Sequence, residues 1–379
     1  MMKSLDPFNF FGRSVACAGS GDGPSRRTVK SVGPHFSAQY FISRYLGLDE
    51  ALEPAGATSL PAVLMGYDRL ARDTDLLFAR LSPRMSQLMR RSDVLRVPES
   101  VTLSVSLPLS ETKRKKIKHS QKHNLRRIVN NNFSYDMTNE EECFEDFFHN
   151  MYKPSAKDRF GAEAQLYRYD DALQMFRRGG LMWVRQNGRI VAGHLIAIEG
   201  RTARGLVFGT IDGRREPIIA GAHSASYWFT IEWAIEKGFR QLKLGRTRPS
   251  LSDGVLTTKR RWGAELSDGT DCYDLIVHWA QWSDHVRAFL AQTPLIFHDE
   301  AGLSGLTAMP LGSEHTPEAV YEQARTFWAP GLKRLIVISD LATGETPGHQ
   351  DGDTDTPFWI APPSGPRACV QAARPMFRS

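Results

Sequence analysis

Two histidines, two arginines and a run of small residues could do chemistry in this 379-residue chain. An imidazole titrates near neutrality and can take or give a proton, which makes His223 a candidate acid–base group. It lies within the small-residue set Ala220, Gly221, Ala222, Ser224, Ala225 and Ser226. At a helix start, such residues let backbone N–H groups approach a phosphate, so Gly221, Ala222 and Ser224 are candidates for binding a cofactor. The same residues would also let a helix pack closely on a sheet. His194 is the other candidate imidazole, although inside the apolar stretch Ile190 to Ile198 a satisfied core histidine is the plainer reading. Arg246 and Arg248 follow the strand expected from Arg240 to Leu244, at the end where ligands gather in open α/β sheets.

A second feature is electrostatic. From Lys113 to Arg127, eight of fifteen residues are Lys or Arg. That density attracts polyanions such as tRNA, lipid phosphates or nucleotide-sugar pyrophosphates, with Lys115, Lys116 and Lys118 as the candidate contacts. A solvated helix face would look the same, and the run lacks the aromatics of a base-stacking platform. His119 and His123 are four apart, but the surrounding cations would repel a metal, and no metal is expected. There is no Gly-x-Ser-x-Gly elbow. Asp351-Gly-Asp353-Thr-Asp355 opens like a calcium loop and fails at its twelfth position, Pro362.

These groups need a scaffold. A chain with 41% hydrophobic and 24% charged residues can build a sizeable core, and its net charge of +6 does not choose between nucleic acid and a smaller anion. Four dispersed cysteines, no apolar leader segment and no run of about 20 apolar residues predict a soluble, cytoplasmic protein. Residues 1–33 read as a flexible leader and 34–95 as a helical region, including a helix from Asp73 through Leu76, Leu77 and Leu81 to Leu88. Val101, Leu103, Val105 and Leu107 alternate as a half-buried strand does. A basic helix is expected from Glu111 to Asn131. Asn187-Gly188 supplies the positive φ angles of a two-residue hairpin turn. One long helix is expected from Pro217 to Lys237, closed by Gly238. Residues 303–340 read as a strand–helix–strand extension, and 341–379 as a disordered tail. The fold class is α/β (mixed α+β), a central mixed sheet flanked by helices.

The most informative stretch is Gly254-Val-Leu-Thr-Thr-Lys259-Arg-Arg-Trp262-Gly263, after a helix ended by glycine and a strand ended by Gly245. This order resembles the second half of a GNAT-fold acyltransferase of the Fem-like (CelD-like) group. Gly254, Lys259, Trp262 and Gly263 match that group's Gly…Lys-x-x-aromatic-Gly element, and the likeness extends over residues 95–285 within a domain at 96–295. It implies an N-acyltransferase moving an acyl group from a thioester, acyl-CoA or acyl-carrier protein, to an amine in cell-envelope, polysaccharide or secondary-metabolite synthesis. Attack would be direct, without metal. By carry-over Lys259 stabilises the oxyanion or the donor's charge; Asp253 and Trp262 are candidate substrate-binding or anion-binding residues, although a core aromatic and a tight turn are the plainer reading of Trp262-Gly263. One departure matters: where acyl-CoA enzymes of this kind show Arg/Gln-x-x-Gly-x-Gly/Ala, this chain has Ile218-Ile219-Ala220-Gly221-Ala222-His223. Aminoacyl-tRNA therefore stays open as donor. So does a non-catalytic polyanion-binding module built on residues 113–127.

Overall fold

The computed structural model describes residues 13–20, 26–33, 36–47, 52–89, 94–161, 166–267, 273–341, 344–346, 358–364 and 366. The glycine cluster at 21–23, Cys272, Cys369 and the 351–355 segment lie outside them. In chain order the elements are β1 (Arg13–Ser20), β2 (Arg27–Val32), α1 (Phe36–Leu46), β3 (Glu53–Thr58), α2 (Leu60–Leu70), β4 (Leu76–Leu81), α3 (Pro83–Leu88), β5 (Leu95–Pro98), β6 (Val101–Ser106), α4 (Glu111–Ser120), α5 (Lys122–Asn130), β7 (Phe133–Thr138), α6 (Glu141–Asp146), α7 (Lys153–Phe160), α8 (Tyr169–Arg177) and β8 (Gly179–Gln186). There follow β9 (Arg189–Glu199), β10 (Thr202–Thr210), α9 (Glu216–Ala220), α10 (Ala222–Glu236), β11 (Gln241–Thr247), α11 (Gly254–Arg261), β12 (Glu265–Ser267), β13 (Asp274–His278), α12 (Asp284–Gln292), β14 (Leu295–Asp299), β15 (Gly302–Ala308), α13 (Pro317–Phe327), β16 (Leu335–Ile338), β17 (Gly344–Thr346) and β18 (Phe358–Ala361). The chain is a mixed α/β protein whose sheets are flanked by helices. It divides into a central unit, residues 102–246 with 257–265, and a terminal unit, residues 1–101, 247–256 and 266–379. No helix among the described residues is long and apolar enough to cross a membrane.

The central unit is built on a seven-stranded sheet of order β12-β6-β11-β10-β9-β8-β7. Strands β7 to β10 pair antiparallel in sequence, and β11 joins β10 in parallel. Asn187 (φ 50°) and Gly188 (φ 79°) make the turn between β8 and β9. Alternation sorts the side chains. Leu181, Trp183 and Leu195 enter one core with Phe144, Phe147, Phe148 and Phe176, and Val184 and Ala192 enter another with Ile128, Ala222 and Ala225. Two departures from the expected helices have local causes. The basic helix breaks into α4 and α5 at Gln121 (φ −105°, ψ 11°). The long helix breaks at Gly221, whose φ of 116° belongs to the left-handed region that glycine tolerates.

Between α6 and α7 the chain makes a π-helical turn, Phe147–Tyr152. It lies on a flat patch made by two glycines facing each other across β9 and β10, Gly193 and Gly209. A side chain begun at Gly193 would stand 2.5 Å from Phe147, and one at Gly209 2.6 Å from the Met151 backbone. Since backbone cannot give way as a side-chain tip can, Gly209→Ala should destabilise the central unit by about 3 kcal/mol, the upper range for overpacking. Urea unfolding of the variant measures this.

The terminal unit carries an eleven-stranded sheet of order β17-β18-β16-β15-β14-β5-β13-β4-β2-β1-β3. It corrects three expectations. Residues 13–20 and 27–32, assigned to a flexible leader, form an antiparallel strand pair, β1 and β2. Residues 76–81, assigned to a helix, form strand β4 between β2 and β13. Leu76, Leu77, Phe78, Ala79 and Leu81 are all buried there, because both faces of the sheet are covered. A strand buried on both faces has no polar alternation, so its apolar run mimics a helix segment. Past 341, β17 and β18 extend the same sheet, with β18 parallel to β16. The expected extension at 303–340 is β15, α13 and β16, and its two strands belong to this sheet.

Candidate active site

Lys259 sits in the last turn of α11, and the close of that helix explains the Lys-x-x-Trp-Gly spacing. The Gly263 N–H donates to Arg260 O (2.8 Å) and the Ala264 N–H to Lys259 O (3.2 Å). This pair of bonds, with Gly263 at φ 80°, is the Schellman close of a helix. Glycine is required twice over, because a side chain there would begin 2.7 Å from Ile117 Cδ1. Trp262, 1% exposed, stacks on Tyr227 of α10 with ring centroids 6.0 Å apart. It anchors the helix end in the core and leaves no open face for a substrate.

The Lys259 side chain is 4% exposed, and its Nζ donates to Arg246 O at 3.0 Å. The ammonium therefore lies at the end of β11. There β10 and β11 pair only over Thr202↔Gln241, Ala203↔Leu242 and Arg204↔Lys243. Beyond, β10 continues to Thr210 and β11 to Thr247 with no paired register between them. An irregularity in β10 between Gly205 and Val207 starts the divergence. Gly245, at φ 77°, sits at the mouth of this cleft. A side chain there would begin 3.5 Å from Gly205 O and 3.7 Å from Lys259 Nζ.

His194 on β9 packs against Gly205, just past the last paired residues of β10 and β11. Its ring lies 2.9 Å from where a Gly205 side chain would begin, so only glycine fits beside it. The ring is 7% exposed, and its Nδ1 is 3.0 Å from Thr230 Oγ1 on α10. Burial, followed by the charge of Lys259, pushes His194 down to about 4. His223 stacks between Phe208 and Tyr227, 5.0 Å from each ring centroid. Burial, then Arg159, His194 and Lys259, push it down to about 3. His223 keeps a partly accessible edge, so His194 is the more firmly enclosed of the two. Burial raises the Tyr227 phenol to about 12, against a smaller opposing effect of Arg159. Two neutral imidazoles, a neutral phenol and a buried ammonium thus converge on one cleft. Both rings stay unprotonated to well below neutral pH, and the Lys259 charge that opposes their protonation attracts an anion.

The structure brings Lys259, the backbone of Arg246 and both candidate imidazoles, His223 and His194, together, and adds Thr230, Tyr227, Gly205 and Gly245. The sequence signal for His194 was present: a lone titratable residue inside an apolar strand needs a partner. Thr230 gave no such sign, being 36 residues away. Other candidates lie elsewhere. Ala222 is fully buried in the core with Val184 and Ala192, and Gly221 contributes the helix break. Ser224 is half-buried on the first turn of α10. Arg248 belongs to the terminal unit and stacks over Tyr40 at 4.4 Å. Asp253, also in that unit, accepts the Leu256 N–H at 2.9 Å and so serves as a helix cap. Lys115 pairs with Glu111 (2.7 Å), and Lys116 and Lys118 lie on the exposed face of α4.

No protein-family model and no curated protein matches the chain. Among solved structures, it is similar to the C-terminal domain of a putative lysylphosphatidylglycerol synthetase from Agrobacterium fabrum, at 10% identity over 70% of this chain and 80% of that one, TM-score 0.33. It is similar to FemX at 12% identity over 72% and 86%, TM-score 0.36. It is also similar to a GCN5-related N-acetyltransferase from Sphaerobacter thermophilus at 13% identity over 70% and 76%, TM-score 0.30.

Proposed function

We propose that the central unit is a GNAT-like N-acyltransferase that passes an acyl group from a thioester donor, acyl-CoA or acyl-carrier protein, to an amine. The observation that carries this reading is the buried Lys259 ammonium at the end of a cleft between two parting parallel strands. Unpaired strand edges offer N–H and C=O groups to an extended, amide-bearing ligand by strand addition. A donor arm seated there brings its carbonyl to the ammonium. As the amine attacks, the carbonyl oxygen gains negative charge, and a fixed cation in a water-poor site stabilises that charge strongly. Holding donor and amine together removes most of the entropic cost of their encounter.

Calorimetric titration with acetyl-CoA, long-chain acyl-CoA, acyl-carrier protein and a charged tRNA mixture tests the proposal. A thioester should bind. Gly245→Val, which fills the cleft mouth beside Gly205 O and Lys259 Nζ, should weaken that binding at least tenfold. Equal donor affinity in this variant would remove the cleft from the account.

A second reading, aminoacyl-tRNA as donor or a polyanion-binding role, is favoured by one observation. Lys118, Lys122 and Arg126 are exposed on α4 and α5, and among the described residues no acidic side chain pairs with them. If tRNA docks there, neutralising these three charges should lower the salt slope of binding by about three. Fluorescence anisotropy across a salt series measures that slope.

A further inference from the structure

The amine that attacks a thioester must lose a proton, and Lys259, charged and already donating, cannot take it. The hydrogen bonds behind His194 decide which of its nitrogens can. Thr230 Oγ1 lies 2.7 Å from the carbonyl oxygen of Ser226, one turn earlier on α10. A carbonyl only accepts, so the single hydroxyl proton of Thr230 is committed to it. The other contact Thr230 could donate to, Met182 Sδ at 3.7 Å, is longer and a weaker acceptor. Thr230 Oγ1 can therefore only accept from His194, and His194 Nδ1, 3.0 Å away, must carry the ring's proton. The neutral ring has one proton, which leaves Nε2 with a free lone pair. Nε2 is one of the two ring atoms at 2.9 Å from the Gly205 side-chain position, and so faces β10 at the residue where its register shifts. Among the described residues no group hydrogen-bonds to it.

From this geometry we infer that His194 Nε2 is the general base of the transfer, held in the Nδ1–H tautomer by the Thr230–Ser226 chain. The inference rests on the acyltransferase reading above. In the step, the amine nitrogen bonds to the carbonyl carbon and its proton passes to Nε2. The carbon–sulfur bond then breaks, and the imidazolium returns the proton from Nε2 to the departing sulfur. The products are an amide and a free thiol, and His194 ends neutral as it began. The nearby Lys259 charge disfavours the imidazolium in the empty site. The oxyanion that forms beside Lys259 offsets that charge when the proton arrives, so the base strengthens as the reaction needs it. His223 is less suited, since its ring is stacked between Phe208 and Tyr227.

Two measurements test this, the first without any substrate. Long-range ¹H–¹⁵N spectra of the wild-type protein report which ring nitrogen of His194 is protonated, with His194→Asn assigning the signal. The expected result is Nδ1–H; an Nε2–H tautomer overturns the inference whatever the activity. The second compares kinetics. In His194→Asn the amide nitrogen takes the Nδ1 position and can still donate to Thr230, but no atom remains at Nε2. The expected loss in kcat is about 10²- to 10³-fold, with donor Kd unchanged and part of the rate restored by free imidazole. Thr230→Val, which frees the ring to change tautomer, should lower kcat less. Full kcat in His194→Asn, with Nδ1–H found in the wild type, also overturns the inference. A wild-type protein that binds no thioester and transfers no acyl group fails the acyltransferase reading itself, and His194 as base falls with it.

Discussion

Lys259→Met should lower kcat/KM for acyl transfer by about 10²- to 10³-fold, the range seen when one preorganised oxyanion donor is lost. Methionine keeps the length and the apolar stem of lysine, so packing around this 4%-exposed side chain should survive. The loss of the bond to Arg246 O removes one donor from a partly buried carbonyl, which costs about 1 kcal/mol of stability. Donor affinity should change far less than rate, because the ammonium acts on charge that exists only in the transition state. Lys259→Arg should not restore the rate: a planar guanidinium cannot occupy the point position of an ammonium under Gly245. Steady-state thiol release, with circular dichroism to confirm folding, separates these effects. An equal fall in affinity and rate would make Lys259 a binding residue instead.

The second large effect is on stability against pH. In the unfolded chain a histidine takes up its proton as pH falls below about 6.5. In the folded protein His194 waits until about 4 and His223 until about 3. Both folded values are depressed, so between about 6.5 and 4 the unfolded state binds more protons, and stability falls as pH falls. Two such groups give a slope of at most about 2.8 kcal/mol per pH unit in that window, since each proton contributes about 1.4. His223, with its accessible edge, should contribute the smaller part. His223→Phe keeps the aromatic stack with Phe208 and Tyr227 and should reduce the slope, and His194→Asn should reduce it more. Urea midpoints measured from pH 7 to pH 4.5 test this. A wild-type slope near zero would mean that both rings protonate freely in the folded protein.

Some of this architecture was legible in the sequence, for local reasons. Asn187-Gly188 encodes its turn through φ angles that few other pairs adopt. Lys259-x-x-Trp262-Gly263 encodes a helix close in which lysine points inward and glycine turns the chain. What the sequence hid depends on long-range contact. Strand β4 reads as helix because burial on both faces erases alternation. Strands β1 and β2 hide in a polar, glycine-containing stretch that is ordered by pairing with each other and with β3 and β4. The tie between His194 and Thr230 joins a strand to a helix, and no residue between them marks it. Gly221 and Ala222, attractive as a phosphate cradle by composition, are absorbed by a helix break and a packed core. Small residues serve both ends equally well, and only packing distinguishes them.

On this mechanism the donor carbonyl enters the cleft between β10 and β11. The most direct measurement is a crystal structure of the protein with a thioether or ketone analogue of an acyl-CoA, in which transfer is blocked. The expected result is the analogue's carbonyl or acyl end within hydrogen-bond distance of Lys259 Nζ, with its amide-bearing arm along the unpaired edges past Gly205 and Gly245. An analogue bound on the cationic face of α4 and α5, with the cleft empty, would contradict it.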